Sequence, residues 1–208
     1  MTPTARKVAV LCSFGVLAVV VACSGGGRWE TGRDAGAMCQ VRGLQGESIA
    51  PVRGAQPGCG VAQPVRITAV DGVALSQPAT MDCQTAAALT HWVRGTVKPT
   101  IAAAGADVTG LRVAAHYVCR TRNHRAGARV SEHGKGRAID ISAFLLPNGA
   151  EINVLRDWGN GVAGDVLRQM HAQACGTFGT TLGPGSDGMH EDHFHYDTAR
   201  HGNGPYCR

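Results

Sequence analysis

Cysteines recur at positions 39, 59, 83, 119, 175 and 207, and no two of them form a C-x-x-C pair. Widely spaced thiols in an even number either cross-link a chain or stay reduced, and the compartment decides which. The amino-terminal residues point to export. Residues 1–7 (MTPTARK) are basic, and residues 8–21 form an apolar run broken only by Ser13 and Gly15. That run is shorter than the ~20 residues a bilayer-spanning helix needs. It therefore reads as a secretory signal peptide.

The run closes on Val20, Val21, Ala22 and Cys23. An aliphatic residue, a small one and then cysteine resembles a bacterial lipobox, so residues 1–22 are expected to be a lipoprotein-type signal with Cys23 acylated. Bulky Leu11 makes Cys12 a poorer fit, and ordinary cleavage after Ala22 is the alternative. Ser24 is not the aspartate associated with inner-membrane retention, so the expected address is periplasmic, lipid-anchored to the outer membrane. In that oxidising setting Cys39, Cys59, Cys83, Cys119, Cys175 and Cys207 read as three disulfides. The spacing does not fix their connectivity. Cys39–Cys59 and Cys175–Cys207 are the preferred pairs, because each ties down a loop-rich terminal segment.

Residues 23–37 are Gly-rich with almost no aliphatic side chains and read as a flexible tether. Residues 38–208 then form one domain. VAQPVRITAV, the turn Asp71-Gly72 and VAL predict a hairpin. Asp82 is placed to cap a helix reaching about Val97, with Ala86, Leu89 and Val93 on one stripe and Pro99 disturbing its end. Residues 111–119 read as a strand with Val113, Ala115, Tyr117 and Cys119 on one face. Residues 161–174 read as a second helix with Val162, Val166 and Met170 inward. The fold class is α+β: a small antiparallel sheet flanked by helices and stapled by disulfides.

Two blocks carry chemistry: SEHGKGRAIDISAF at 131–144 and HEDHFHYD at 190–197. His193 and His195 are two apart in a strand-like segment, which puts both imidazoles on one face. His133 and Asp140 are seven apart, and a straight strand would oppose them. Gly134 and Gly136 between them permit a bend that restores convergence. Imidazole nitrogen with carboxylate oxygen suits a borderline cation such as zinc, and three protein ligands with an open position is the catalytic form of such a site. Trp158, Phe144 and Phe178 read as core, and His116 and His124 as structural or exposed.

The joined blocks, with the CG at 59–60, YVCR at 117–120, Trp158 and ACGTFGTTLGP at 174–184, resemble the extensin-like C-terminal domain proteins of bacteria. That family is in turn similar to zinc peptidases of hedgehog and lysostaphin architecture, among them D-Ala-D-Ala carboxypeptidases, dipeptidases and endolysin peptidases. The resemblance implies a zinc fold of that type with Zn²⁺ on His133, Asp140 and His195. In carboxypeptidase-like relatives an acid at the position of Asp192 is the base; in lysostaphin-like relatives it is a histidine at the position of His193. Asp192 as base with His193 steadying the oxyanion is the preferred assignment, with Glu191 a solvated charge. The resemblance also implies that an arginine, Arg120 or else Arg122, binds a substrate carboxylate, with Ser131 near metal or substrate.

Zinc-dependent hydrolysis of amide bonds in peptidoglycan stem peptides is the expected function. The alternative is a catalytically inactive zinc-bearing wall-binding or structural lipoprotein. A metal-free structural lipoprotein would require His133, Asp140 and His195 to lie far apart. Nucleic acid is not an expected partner: from Cys23 onward 18 basic residues meet 15 acidic ones, no electrostatic footprint for a polyphosphate chain.

Overall fold

The computed structural model describes residues 38–208. The expected signal peptide, acylated Cys23 and tether lie outside the described residues. Among the described residues no helix is long and apolar enough to cross a membrane.

The sheet grows from the hairpin that the sequence predicts. Strands β4 (Pro64–Val70) and β5 (Val73–Asp82) pair antiparallel around Asp71 and Gly72, both at positive φ (49° and 82°). Mirror-image turns of this kind match the twist of the strands they join. β1 (Leu44–Ser48) flanks β4; β6 (Gly110–Ala115) lies parallel to β5; β7 (Ala138–Leu145) lies antiparallel to β6. Beyond β7 come β10 (Phe194–Asp197), β9 (Thr180–Leu182) and β11 (Tyr206–Cys207), with β8 (Glu151–Asn153) also pairing β7. The result is a nine-stranded mixed sheet with two parallel pairings, larger than the small antiparallel sheet expected. A separate hairpin joins β2 (Val52–Arg53) to β3 (Gly60–Val61).

Helices cover the sheet. Asp82 caps α1 (Cys83–Trp92) by accepting from the Thr85 amide at 2.8 Å, and Ala86, Leu89 and Val93 are buried. Pro99 does not end this helical run. A wider π turn over Val93–Val97 leads into α2 (Lys98–Ala103), where Pro99 falls in the first turn and needs no amide donor. α3 (Gly161–Ala172) buries Val166, Leu167 and Met170, but Val162, one turn before that stripe, is 68% exposed. The expected strand over 111–119 stops at Ala115, where bulges break its alternation. Trp92 sits at the centre, edge-on to Phe144, Phe178 and Tyr196, with its indole N–H on the Met170 carbonyl at 3.1 Å. Edge-to-face rings and a satisfied indole donor let a chain with few aromatics build a firm core.

Three disulfides staple the domain: Cys39–Cys83, Cys59–Cys119 and Cys175–Cys207. The last is the pair expected. Cys39–Cys59 is corrected: Cys39 lies against the start of α1, where Cys83 is the first residue, whereas Cys59 lies on the β2–β3 hairpin against the segment after β6. Closing a 60-residue separation is expected to stabilise by about 2–4 kcal/mol, so Cys59→Ser with Cys119→Ser should lower the unfolding free energy by that much. Denaturant titration measures it, and non-reducing peptide mapping should recover these three pairs. A peptide joining Cys39 to Cys59 would contradict the fold.

Candidate metal centre

Register in the sheet sets the site. Asp140 on β7 stands directly opposite His195 on β10. Phe194 and Tyr196 turn into the core, so by strand alternation His195 and Asp197 share the other face. His133 arrives from a 3₁₀ turn, Glu132–Lys135, closed by Gly136 at φ +68°. That turn is the bend which makes a seven-residue spacing converge. A Cβ at Gly136 would stand 2.5 Å from Val61 Cγ2, and one at Gly134 would stand 2.8 Å from Val130 Cγ1. Gly136 is needed for the left-handed turn as well as for close approach, and Gly134 for close approach alone.

The three side chains are buried, and one ligand atom from each lies within 4.8 Å of the others. His133 Nδ1–H donates to the His116 carbonyl at 2.8 Å, which turns Nε2 inward as a lone pair. His195 Nε2–H donates to Asp197 Oδ2 at 3.1 Å, which turns Nδ1 inward. Those inner nitrogens are 3.1 Å apart, and Asp140 Oδ1 lies 3.1 Å from the first and 2.8 Å from the second. Carbonyl or carboxylate partners behind metal-facing imidazoles are the usual way such ligands are fixed in tautomer and orientation. Two nitrogens and a carboxylate so arranged fit a divalent cation.

Protons compete for the same atoms. Burial disfavours the His195 imidazolium, yet the hydrogen bonds of Asp140 and Asp197 outweigh that and raise its pKa to about 9. Burial would raise the Asp140 carboxyl; its polar contacts with the His133 and His195 rings, the latter carrying a proton when metal is absent, prevail and hold it well below the usual carboxylate range. In metal-free protein the folded state therefore keeps a proton on His195 that the unfolded chain, at 6.5, has released. This stabilisation is complete below pH 6.5 and is lost as pH rises through about 9. Burial lowers His116, His171 and His190 below 6.5, so they stay neutral over that window. The melting temperature of chelator-treated protein should accordingly fall between those pH values, while metal affinity rises over the same range. A flat melting temperature would place the proton elsewhere.

His193 precedes β10, and its Nε2 lies 3.6 Å from Asp140 Oδ2. Its Nδ1–H donates to Asp192 Oδ1 at 2.7 Å. Asp192 itself is 67% exposed, and its hydrogen-bond partner among the described residues is His193. Glu191 accepts from the Gly185 amide at 3.0 Å and holds a neighbouring loop.

His195 opens onto a cleft of about 210 Å³ whose walls include Arg120, Arg122 and Ser131. All three residues raised as candidates for contact with substrate thus face the same space as His195. The cleft also holds a residue that the sequence reading passes over. His190 lies with its ring centroid 5.1 Å from that of His193 and 5.4 Å from that of His195, and its Nδ1–H donates to Asp187 at 2.7 Å. Asp197 is likewise missed, although its two-residue offset from His195 marks it as sharing that face. His116 contributes through its carbonyl, which no side-chain pattern reveals.

The fold and site together define a disulfide-stapled α/β domain with a buried His/Asp/His group able to hold a metal ion. The sequence profile of the extensin-like protein C-terminus matches residues 37–208, and the chain belongs to that family. Comparisons with curated proteins and with solved structures return no match.

Proposed function

We propose that the protein is a zinc-dependent peptidase that hydrolyses amide bonds in peptidoglycan stem peptides, acting in the periplasm on an outer-membrane lipid anchor at Cys23. One observation carries this reading: an imidazole held by a carboxylate, His193 on Asp192, stands at 3.6 Å beside a His/Asp/His group whose ligand atoms face inward. A nitrogen-rich donor set with one carboxylate favours zinc over calcium or magnesium. When bound, zinc would supply Lewis acidity toward an amide carbonyl and make water acidic near neutral pH.

The chain's own residues handle the protons. His193 keeps Nδ1–H on Asp192, so Nε2 is free to take the proton of the attacking water and deliver it to the leaving amine nitrogen. Asp192 orients the ring and steadies the imidazolium. These roles reverse the preferred sequence assignment, since exposed Asp192 touches His193 on the side away from the buried group. Asp197 fixes His195, and the Arg120 guanidinium presents a fork suited to a carboxylate of the substrate.

The same 3.6 Å separation also favours a second reading, in which His193 is a fourth ligand and closes the site. The protein would then be a zinc-bearing wall-binding module without turnover. Incubation of zinc-loaded protein with purified sacculi, followed by mass spectrometry of released fragments, tests the two. Peptides shortened at an amide bond are expected. Binding without any released fragment would establish the module instead.

A further inference from the structure

Charge is distributed unevenly along this chain. Residues 120–137 hold six Lys or Arg and one acid, Glu132, a formal +5 that equals the net charge of the whole protein. The other 190 residues balance, fourteen basic against fourteen acidic. Glu132 is buried and already engaged by Lys135 at 2.7 Å and Arg122 at 3.3 Å, and Arg137 pairs with Asp82 at 3.7 Å. Arg120, Arg125 and Arg129 have no ion pair among the described residues.

The segment is built, not loose. A bridge between Thr121 and Val130, with the Arg122 amide on the Arg129 carbonyl at 2.9 Å, closes it into a ribbon. Its base is anchored by Cys119 in the bond to Cys59 and by the Ser131 amide on the Arg120 carbonyl at 2.9 Å. At its turn Asn123 and His124 both take positive φ, 51° and 56°. Asparagine and histidine are among the residues that enter that region most readily, so the turn has a defined shape. Asn123, Arg120 and Arg122 line the cleft with His195, while Arg129 stands across the ribbon from Arg122 and Arg125 lies near its turn, both exposed.

We propose that this ribbon is a docking strip for a peptide polymer carrying free carboxylates, which lies along Arg129 and Arg125 and enters the cleft past Arg122 and Arg120. The inference rests on the peptidase reading for its choice of peptide over other polyanions. Unpaired guanidinium groups attract such a chain at long range and grip its carboxylates at contact. Long-range attraction of this kind weakens as salt shortens the screening length.

The test measures binding of fluorescent poly-L-glutamate to the full chain carrying His193→Ala, so that turnover plays no part. Arg125→Gln with Arg129→Gln should weaken binding about three- to tenfold at low salt and flatten its salt dependence. Arg125→Lys with Arg129→Lys should retain most of it, and Arg42→Gln with Arg53→Gln, exposed but outside the ribbon, should bind as the parent does. Parental affinity in the Arg125/Arg129 glutamine variant would overturn the proposal. So would a polyphosphate of equal charge binding more tightly than polyglutamate, which would make the strip a phosphate surface. Failure to detect hydrolysis in the wild type, with ribbon-dependent binding intact, would remove the peptidase reading and leave the docking strip standing.

Discussion

Alanine at His193 should lower amide hydrolysis by roughly 10²–10⁴-fold, the usual cost of losing a general base, while zinc stays at one per chain. The expectation follows from position. His193 presents Nε2 to the buried group and is held from behind by Asp192, so its removal takes away the proton acceptor and leaves His133, Asp140 and His195 in place. Asp192→Asn should cost less, because the amide oxygen can still accept from Nδ1–H and only the charge that steadies the imidazolium is lost. Steady-state kinetics on a stem-peptide substrate, with metal content measured on the same samples, separates the readings. Loss of zinc from His193→Ala would make His193 a ligand and favour the closed site of a binding module. A larger loss for Asp192→Asn than for His193→Ala would return the base to Asp192.

The second large effect belongs to Asp140→Ala. This carboxylate stands opposite His195 and lies within 3.1 Å of both inner nitrogens. Without it two imidazoles face each other with no anion between them, and a buried pair of that kind holds a divalent cation poorly. Metal should be lost, and with it the stabilisation that ligand binding confers, about 4 kcal/mol at a free zinc concentration a thousand times the Kd. The wild type should therefore melt higher with zinc than without, and Asp140→Ala should melt at one temperature in both. A zinc-dependent shift preserved in Asp140→Ala would remove the carboxylate from the site.

Much of this site is legible in the sequence because strand periodicity is short and rigid. The two-residue offset of His193 and His195, and the glycines at 134 and 136, are local signals with local consequences. Asp82 as a cap and the turn at Asp71 and Gly72 are legible for the same reason. What the sequence hides depends on packing between distant segments. Cys39 finds Cys83 rather than Cys59 because α1 brings its first residue to the amino-terminal turn. Val162 has the right spacing for a buried stripe but is exposed in the first turn of its helix. Pro99 reads as a stop, yet a widened turn before it carries the helix on. The Asp192–His193 hydrogen bond turns on the direction of one side chain at the start of a strand, which alternation does not specify.

His133, Asp140 and His195 form a buried group able to hold a divalent metal ion, and zinc binding should depend on all three. Metal-free wild type and the His133→Ala, Asp140→Ala, His195→Ala triple variant, both with native circular dichroism, should be titrated with zinc by calorimetry. The wild type should bind one equivalent and release protons as His195 gives up its own, and the triple variant should bind none at that affinity. One equivalent bound equally by both proteins would place the zinc on other residues.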